Sequence, residues 1–126
     1  MTKKTHIPRE YASETIFSER SGRDGLDTEC IVIGVFYLWY HPDEIIICYD
    51  DCSKSCMEHY GDYDIERSIY IRKEAAQKIA SKFNAHDAKT VACNFADRFR
   101  PYGRDAMKKI KEWLELKGIE YDVTVY

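Results

Sequence analysis

Thr28-Glu29-Cys30-Ile31-Val32-Ile33-Gly34-Val35-Phe36-Tyr37-Leu38-Trp39-Tyr40, followed by His41-Pro42-Asp43 and then Glu44-Ile45-Ile46-Ile47-Cys48-Tyr49-Asp50, is the stretch on which the fold turns. Its first part is β-branched or aromatic with no helical spacing, which predicts a strand buried on both faces or nearly so. His41-Pro42-Asp43 interrupts it. Ile45, Ile46 and Ile47 open a second strand, and so short a break favours an antiparallel hairpin.

Downstream, Ile65, Ile69 and Ile71 mark a third strand over Glu66 to Arg72. The period then changes. Ala75, Ala76, Ile79, Ala80 and Phe83 form one stripe of a helix over Lys73 to Asn84, and Val91, Ala92, Phe95, Ala96 and Phe99 repeat it over Ala88 to Phe99. Asp87 suits the N-cap between them. Pro101 and Gly103 separate a further helix, about Arg104 to Lys117, with Met107, Ile110, Trp113 and Leu114 on its apolar side and Gly118 as its stop. Ile119, Tyr121, Val123 and Val125 alternate with polar residues, the pattern of a strand with one wet face. Upstream, Pro8 to Glu19 is a candidate helix and Ser21 to Gly25 a loop. The expectation is an α+β fold, a small mixed, largely antiparallel sheet with about three helices packed on one face. A single domain spans 1–126, its residues 1–27 forming a more loosely packed segment.

A chain of 126 residues that is 44% hydrophobic is long enough for one sizeable core. Its net charge of -3, from 19 basic and 22 acidic residues, gives no basic face for direct nucleic-acid binding. The polar start, Met1 to Glu10, lacks a signal-peptide core, and the apolar run Cys30 to Tyr40 is about half the length of a membrane-spanning helix. A cytoplasmic protein with no membrane association is expected, and its odd count of five cysteines points to free thiols.

Charge is concentrated in one place. Between Tyr49 and Glu66 six carboxylates, Asp50, Asp51, Glu58, Asp62, Asp64 and Glu66, stand against Lys54 alone, with Tyr49, Tyr60 and Tyr63 among them. Carboxylates accept forked hydrogen bonds from arginine, and tyrosines give contact area at low rotamer entropy. Tyr49, Asp50, Asp51, Glu58, Tyr60, Asp62, Tyr63 and Asp64 are therefore the candidate partner-binding residues, and the partner a basic protein.

Other constellations are weaker. Cys48, Cys52, Cys56 and His59 have metal-ligand residue types, but their spacing differs from paired Cys-x2-Cys knuckles and Cys48 falls in a strand, so no metal or other cofactor is expected. Asp62, Asp64 and Glu66 lack the glycine of a calcium loop, since position six is Arg67. Glu115-Leu116-Lys117 ends a helix, whereas the nuclease motif it imitates needs a strand. No cysteine has a recognisable base and orienting group, and no phosphate-binding glycine loop occurs, so no enzymatic activity is expected. The basic run Arg98 to Arg104 with Lys108, Lys109 and Lys111 suits a helix C-terminus and the outer face of the next helix.

In size, in the Ile69-Tyr70-Ile71 strand leading into amphipathic helices, in Lys117-Gly118-Ile119-Glu120-Tyr121 returning to a last strand, and in its acidic segment, the chain resembles the immunity proteins of bacterial polymorphic toxin systems, including those of contact-dependent inhibition. The resemblance implies an inhibitor whose acidic face covers the basic cleft of one cognate toxin, commonly a nuclease. Two alternatives stay open: a metal-binding or redox-responsive regulator built on Cys48, Cys52, Cys56 and His59, and a decoy whose carboxylates imitate nucleic acid.

Overall fold

The computed structural model describes residues 9–21, 27–51 and 65–125. Strands β1 (Arg9–Ser21), β2 (Asp27–Leu38), β3 (His41–Asp51), β4 (Ile65–Ile71) and β5 (Asp122–Val125) lie side by side in sequence order as an open sheet. Every pairing is antiparallel, so the sheet is not mixed. Between β4 and β5 the chain runs through helices α1 (Lys73–Lys82) and α2 (Ala88–Phe99), a 3-10 segment (Arg100–Asp105) and α3 (Ala106–Leu116). The fold is α+β.

Alternation decides which face the helices cover. Ile31, Ile33 and Val35 of β2, Ile45 and Ile47 of β3, and Ile69 and Ile71 of β4 project to one side and are fully buried, against Ala76, Ile79, Val91, Ala92 and Phe95 of α1 and α2. On the other side Val32, Phe36, Leu38 and Ile46 are half-buried. Phe95 is the hub of the helical layer, its ring 5.0 Å from Phe99, 5.9 Å from Trp113 and 6.1 Å from Phe83.

The helix ends follow their sequence signals. Asp87 Oδ1 accepts the Thr90 amide at 2.6 Å, the N-cap of α2. Asn84 and Gly118, both with positive φ, close α1 and α3; the Ala85 amide reaches the Ala80 carbonyl, and the Ile119 amide the Leu114 carbonyl. The cap bond holds the Asp87 carboxyl below the usual carboxylate range, with His86 and Lys89 adding to the effect and partial desolvation opposing it. A depressed folded-state pKa gives stability that is present above the unfolded carboxylate pKa and lost as pH falls through the folded one. Asp87→Ala should therefore cost about 1 kcal/mol at neutral pH and less in acid, while Asp87→Asn keeps most of the cap. Urea titrations at pH 7 and pH 3 check both.

Two further expectations are corrected. The candidate helix over Pro8 to Glu19 is overturned from Arg9 onward, Pro8 lying outside the described residues: residues 9–21 form edge strand β1, paired with β2 from Arg9 opposite Leu38 to Ser21 opposite Asp27. A bulge at Ile16 shifts the register, and Ile16 is buried in the core. Glu10, Glu14 and Glu19 interrupt any apolar alternation, so no strand pattern shows in the sequence. Tertiary partners make them acceptable in a strand. Glu10 accepts the Ala88 amide at the start of α2 at 2.8 Å, Glu14 accepts from Cys93 Sγ at 3.1 Å and from Arg100, and Glu19 accepts from Arg104 at 2.8 Å.

The second correction concerns the hairpin. Chain reversal occurs at Trp39-Tyr40, both with positive φ (52° and 64°), and His41 and Pro42 already belong to β3. The β2–β3 register jumps from Phe36 opposite Glu44 to Tyr37 opposite Pro42, leaving Asp43 as a bulge beside the proline, where the missing ladder donor is tolerated.

Candidate functional site

The two ends of the sheet differ in chemistry. At the end from which the acidic segment leaves, register sets Glu19 opposite Glu29, the backbone of Asp51 opposite Glu29, and the backbone of Asp50 opposite that of Glu66. Four adjacent strands thus each bring acidic residues to one end. Like charges paired across strands repel. Arg104 relieves the first pair, its guanidinium lying 2.8 Å from Glu19 and 3.1 Å from Glu29.

Of the eight sequence-derived partner-binding residues, Tyr49, Asp50 and Asp51 occupy the end of β3, and Glu58, Tyr60, Asp62, Tyr63 and Asp64 lie outside the described residues. Tyr49 is half-buried against the core, with the Arg67 guanidinium 5.8 Å from its ring. It lines a cleft of about 290 Å³ with Arg67, Arg104, Met107, Lys108 and Lys111. Asp105 also lines the cleft, but the neighbours of Tyr49 on the helical side are mostly cationic, a setting that the run of carboxylates after it did not disclose.

Of the sulfur and imidazole set, Cys48 sits in β3 with the Ser68 hydroxyl 3.6 Å from its sulfur; Cys52, Cys56 and His59 lie outside the described residues. Among the described residues no group of three or more His, Cys, Asp and Glu converges as metal ligands would. Cys93 donates to Glu14, and that bond, partial burial and the Glu14 charge push its thiol pKa up, which disfavours a nucleophilic thiolate. No helix among the described residues is long and apolar enough to cross a membrane.

At the opposite end lies a cleft that sequence reasoning missed. The β2–β3 turn and the link between α1 and α2 face each other across about 560 Å³, lined by Tyr37, Tyr40, His41, Pro42, Gln77, Ala80, Ser81, Asn84, Ala85 and His86. Tyr37 is 2% exposed and its hydroxyl has no hydrogen-bond partner among the described residues. Burial pushes its pKa up, as do the charges of Asp87 and Glu10, so it is a neutral phenol at physiological pH. Trp39 and Tyr40 stand out at the turn, 51% and 78% exposed. Pro42 just after an aromatic pair was the available signal, but only the register shows that the pair forms the turn.

No protein-family model, curated protein or solved structure matches the chain.

Proposed function

We propose that this α+β domain, its helices layered on one face of the sheet, is a non-catalytic binding protein of the bacterial immunity type. It acts in the cytoplasm, where its acidic end neutralises a basic toxin domain such as a nuclease. The observation that carries the reading is the gathering of acidic residues from β1, β2, β3 and β4 at the end of the sheet where the acid-rich, tyrosine-bearing segment begins. Arg104 offsets the Glu19–Glu29 pair, but like charges at neighbouring strand positions are otherwise destabilising to the fold. A basic partner turns the repulsion into attraction, and the field of the cluster speeds encounter.

The test begins with recovery of the partner, from lysate or as the product of the adjacent gene, and continues with binding kinetics at two salt concentrations. Asp62→Lys with Asp64→Lys is expected to slow association several-fold and to flatten its salt dependence. Tyr63→Ala is expected to act mainly on dissociation, as aromatic anchors do. Unchanged kinetics in variants that still fold would remove the acidic segment from the interface.

A further inference from the structure

We propose that the cleft between the β2–β3 turn and the α1–α2 link binds an uncharged heteroaromatic ring of the nucleobase class, stacked on Tyr40 and hydrogen-bonded through Tyr37, Gln77 and Asn84. This site is independent of the acidic end: Glu29 and Tyr37 are eight residues apart along β2, about 26 Å at the usual strand rise.

The first support is the turn itself. A two-residue hairpin turn with positive φ at both positions favours Asn-Gly, because a side chain beyond Cβ crowds the backbone in the left-handed region. Here both positions carry bulky aromatic residues, and while Trp39 is half covered, Tyr40 is 78% exposed and gains little shelter in return. Strain and exposure without a compensating contact mark a residue kept for something other than folding. Asn84, across the cleft, needs no such explanation, as asparagine is an ordinary helix stop.

The second support is the Tyr37 hydroxyl. A buried hydroxyl without a partner is costly, so natural proteins rarely leave one. Tyr37 lines the cleft with its hydroxyl closed to solvent, so a ligand with a polar edge would satisfy it on parting the side chains that cover it.

The lining then selects the ligand. About 560 Å³ falls in the usual range for small-molecule sites. None of the described lining residues is a lysine, arginine, aspartate or glutamate, and the titratable ones are Tyr37, Tyr40, His41 and His86. A phosphate or carboxylate would lack a permanent counter-charge, and the Asp87 and Glu10 charges felt by Tyr37 would repel it. A cation would meet no carboxylate in the lining. A purely apolar ring would leave the Tyr37 hydroxyl as unpaired as it is in the free protein, and so gains nothing from it. Gln77 and Asn84 each present a donor and an acceptor, matching a ring whose edge carries both, and Ala80, Ala85 and Pro42 supply apolar contact for its faces. A nucleic-acid strand is a poorer fit, because its phosphates would find no cations along the cleft.

The experiment titrates adenosine and cytidine into the full chain and follows backbone amide resonances, with inorganic phosphate as control. Saturable shifts are expected around Tyr37, Tyr40, Asn84 and His86 with a nucleoside and none with phosphate. Tyr40→Gly should weaken nucleoside binding about tenfold, in line with loss of a stacking partner. Tyr37→Phe should weaken it several-fold while raising the denaturation midpoint, because it deletes an unpaired buried hydroxyl. Neither variant is expected to unfold the protein, so lost binding reports on the site. No saturable shift at the solubility limit of the nucleosides, shifts confined to other residues, or equal response to phosphate would each overturn the proposal. The assay contains no protein partner, so its failure leaves the acidic-end reading standing, and the reverse holds too.

Discussion

Phe95→Ala is expected to lower stability by about 3–5 kcal/mol, the largest single-residue effect foreseen. Phe95 is fully buried on α2, and its ring meets Phe83 of the α1 C-cap, Phe99 one turn on, and Trp113 of α3. Truncation removes the transfer free energy of the phenyl ring and leaves a cavity in a core whose sheet walls are held by antiparallel ladders. Such walls collapse little, so the cavity persists. Urea unfolding should show a large drop in midpoint with an unchanged slope. A loss under about 1.5 kcal/mol would mean that the helical layer repacks freely and that Phe95 is not its hub.

Replacing Trp39 and Tyr40 by Asn and Gly should do the opposite and stabilise the protein by about 1–2 kcal/mol. Holding an L-residue in the left-handed region costs roughly 1–2 kcal/mol, and two consecutive residues pay it here. Glycine gives back about 0.4–1 kcal/mol through the greater freedom of the unfolded chain, and Trp39, 51% exposed, surrenders some packing. The balance remains favourable, and the midpoint of thermal unfolding should rise by a few degrees, on the order of 2–4 °C per kcal/mol for a chain of this size. If the midpoint falls, the aromatic pair is held by packing, and the case for a functional turn weakens with it. A stabilised variant that also loses nucleoside binding would separate the two roles in one protein.

Much of the architecture is legible in local chemistry. The central hairpin follows from two β-branched runs separated by a short break, α1 and α2 from stripes of apolar residues at helical spacing, the α2 start from Asp87, and the α3 stop from Gly118. Each of these rests on interactions within a few residues, where sequence and structure are tied directly. The acidic residues, too, are concentrated by sequence. Register then gathers Glu19 and Glu29 to the same end of the sheet.

What local chemistry did not contain was decided between elements. Glu10, Glu14 and Glu19 hide any strand pattern in the sequence, and are accommodated in a strand because an amide of α2, a cysteine thiol and two arginines far along the chain donate to them. The direction of β5 was open until the helical excursion brought it back antiparallel to β4. Trp39 and Tyr40 have strand propensity and would continue β2, but the pairing of Tyr37 with Pro42 places the reversal on them. The sequence by itself thus determined the periodic elements and the location of charge, since both depend on neighbours along the chain. Tertiary structure alone decided the edge strand, the strained aromatic turn and the cleft with its unpaired phenol, because each is a balance of hydrogen bonds and packing between residues that only folding brings together.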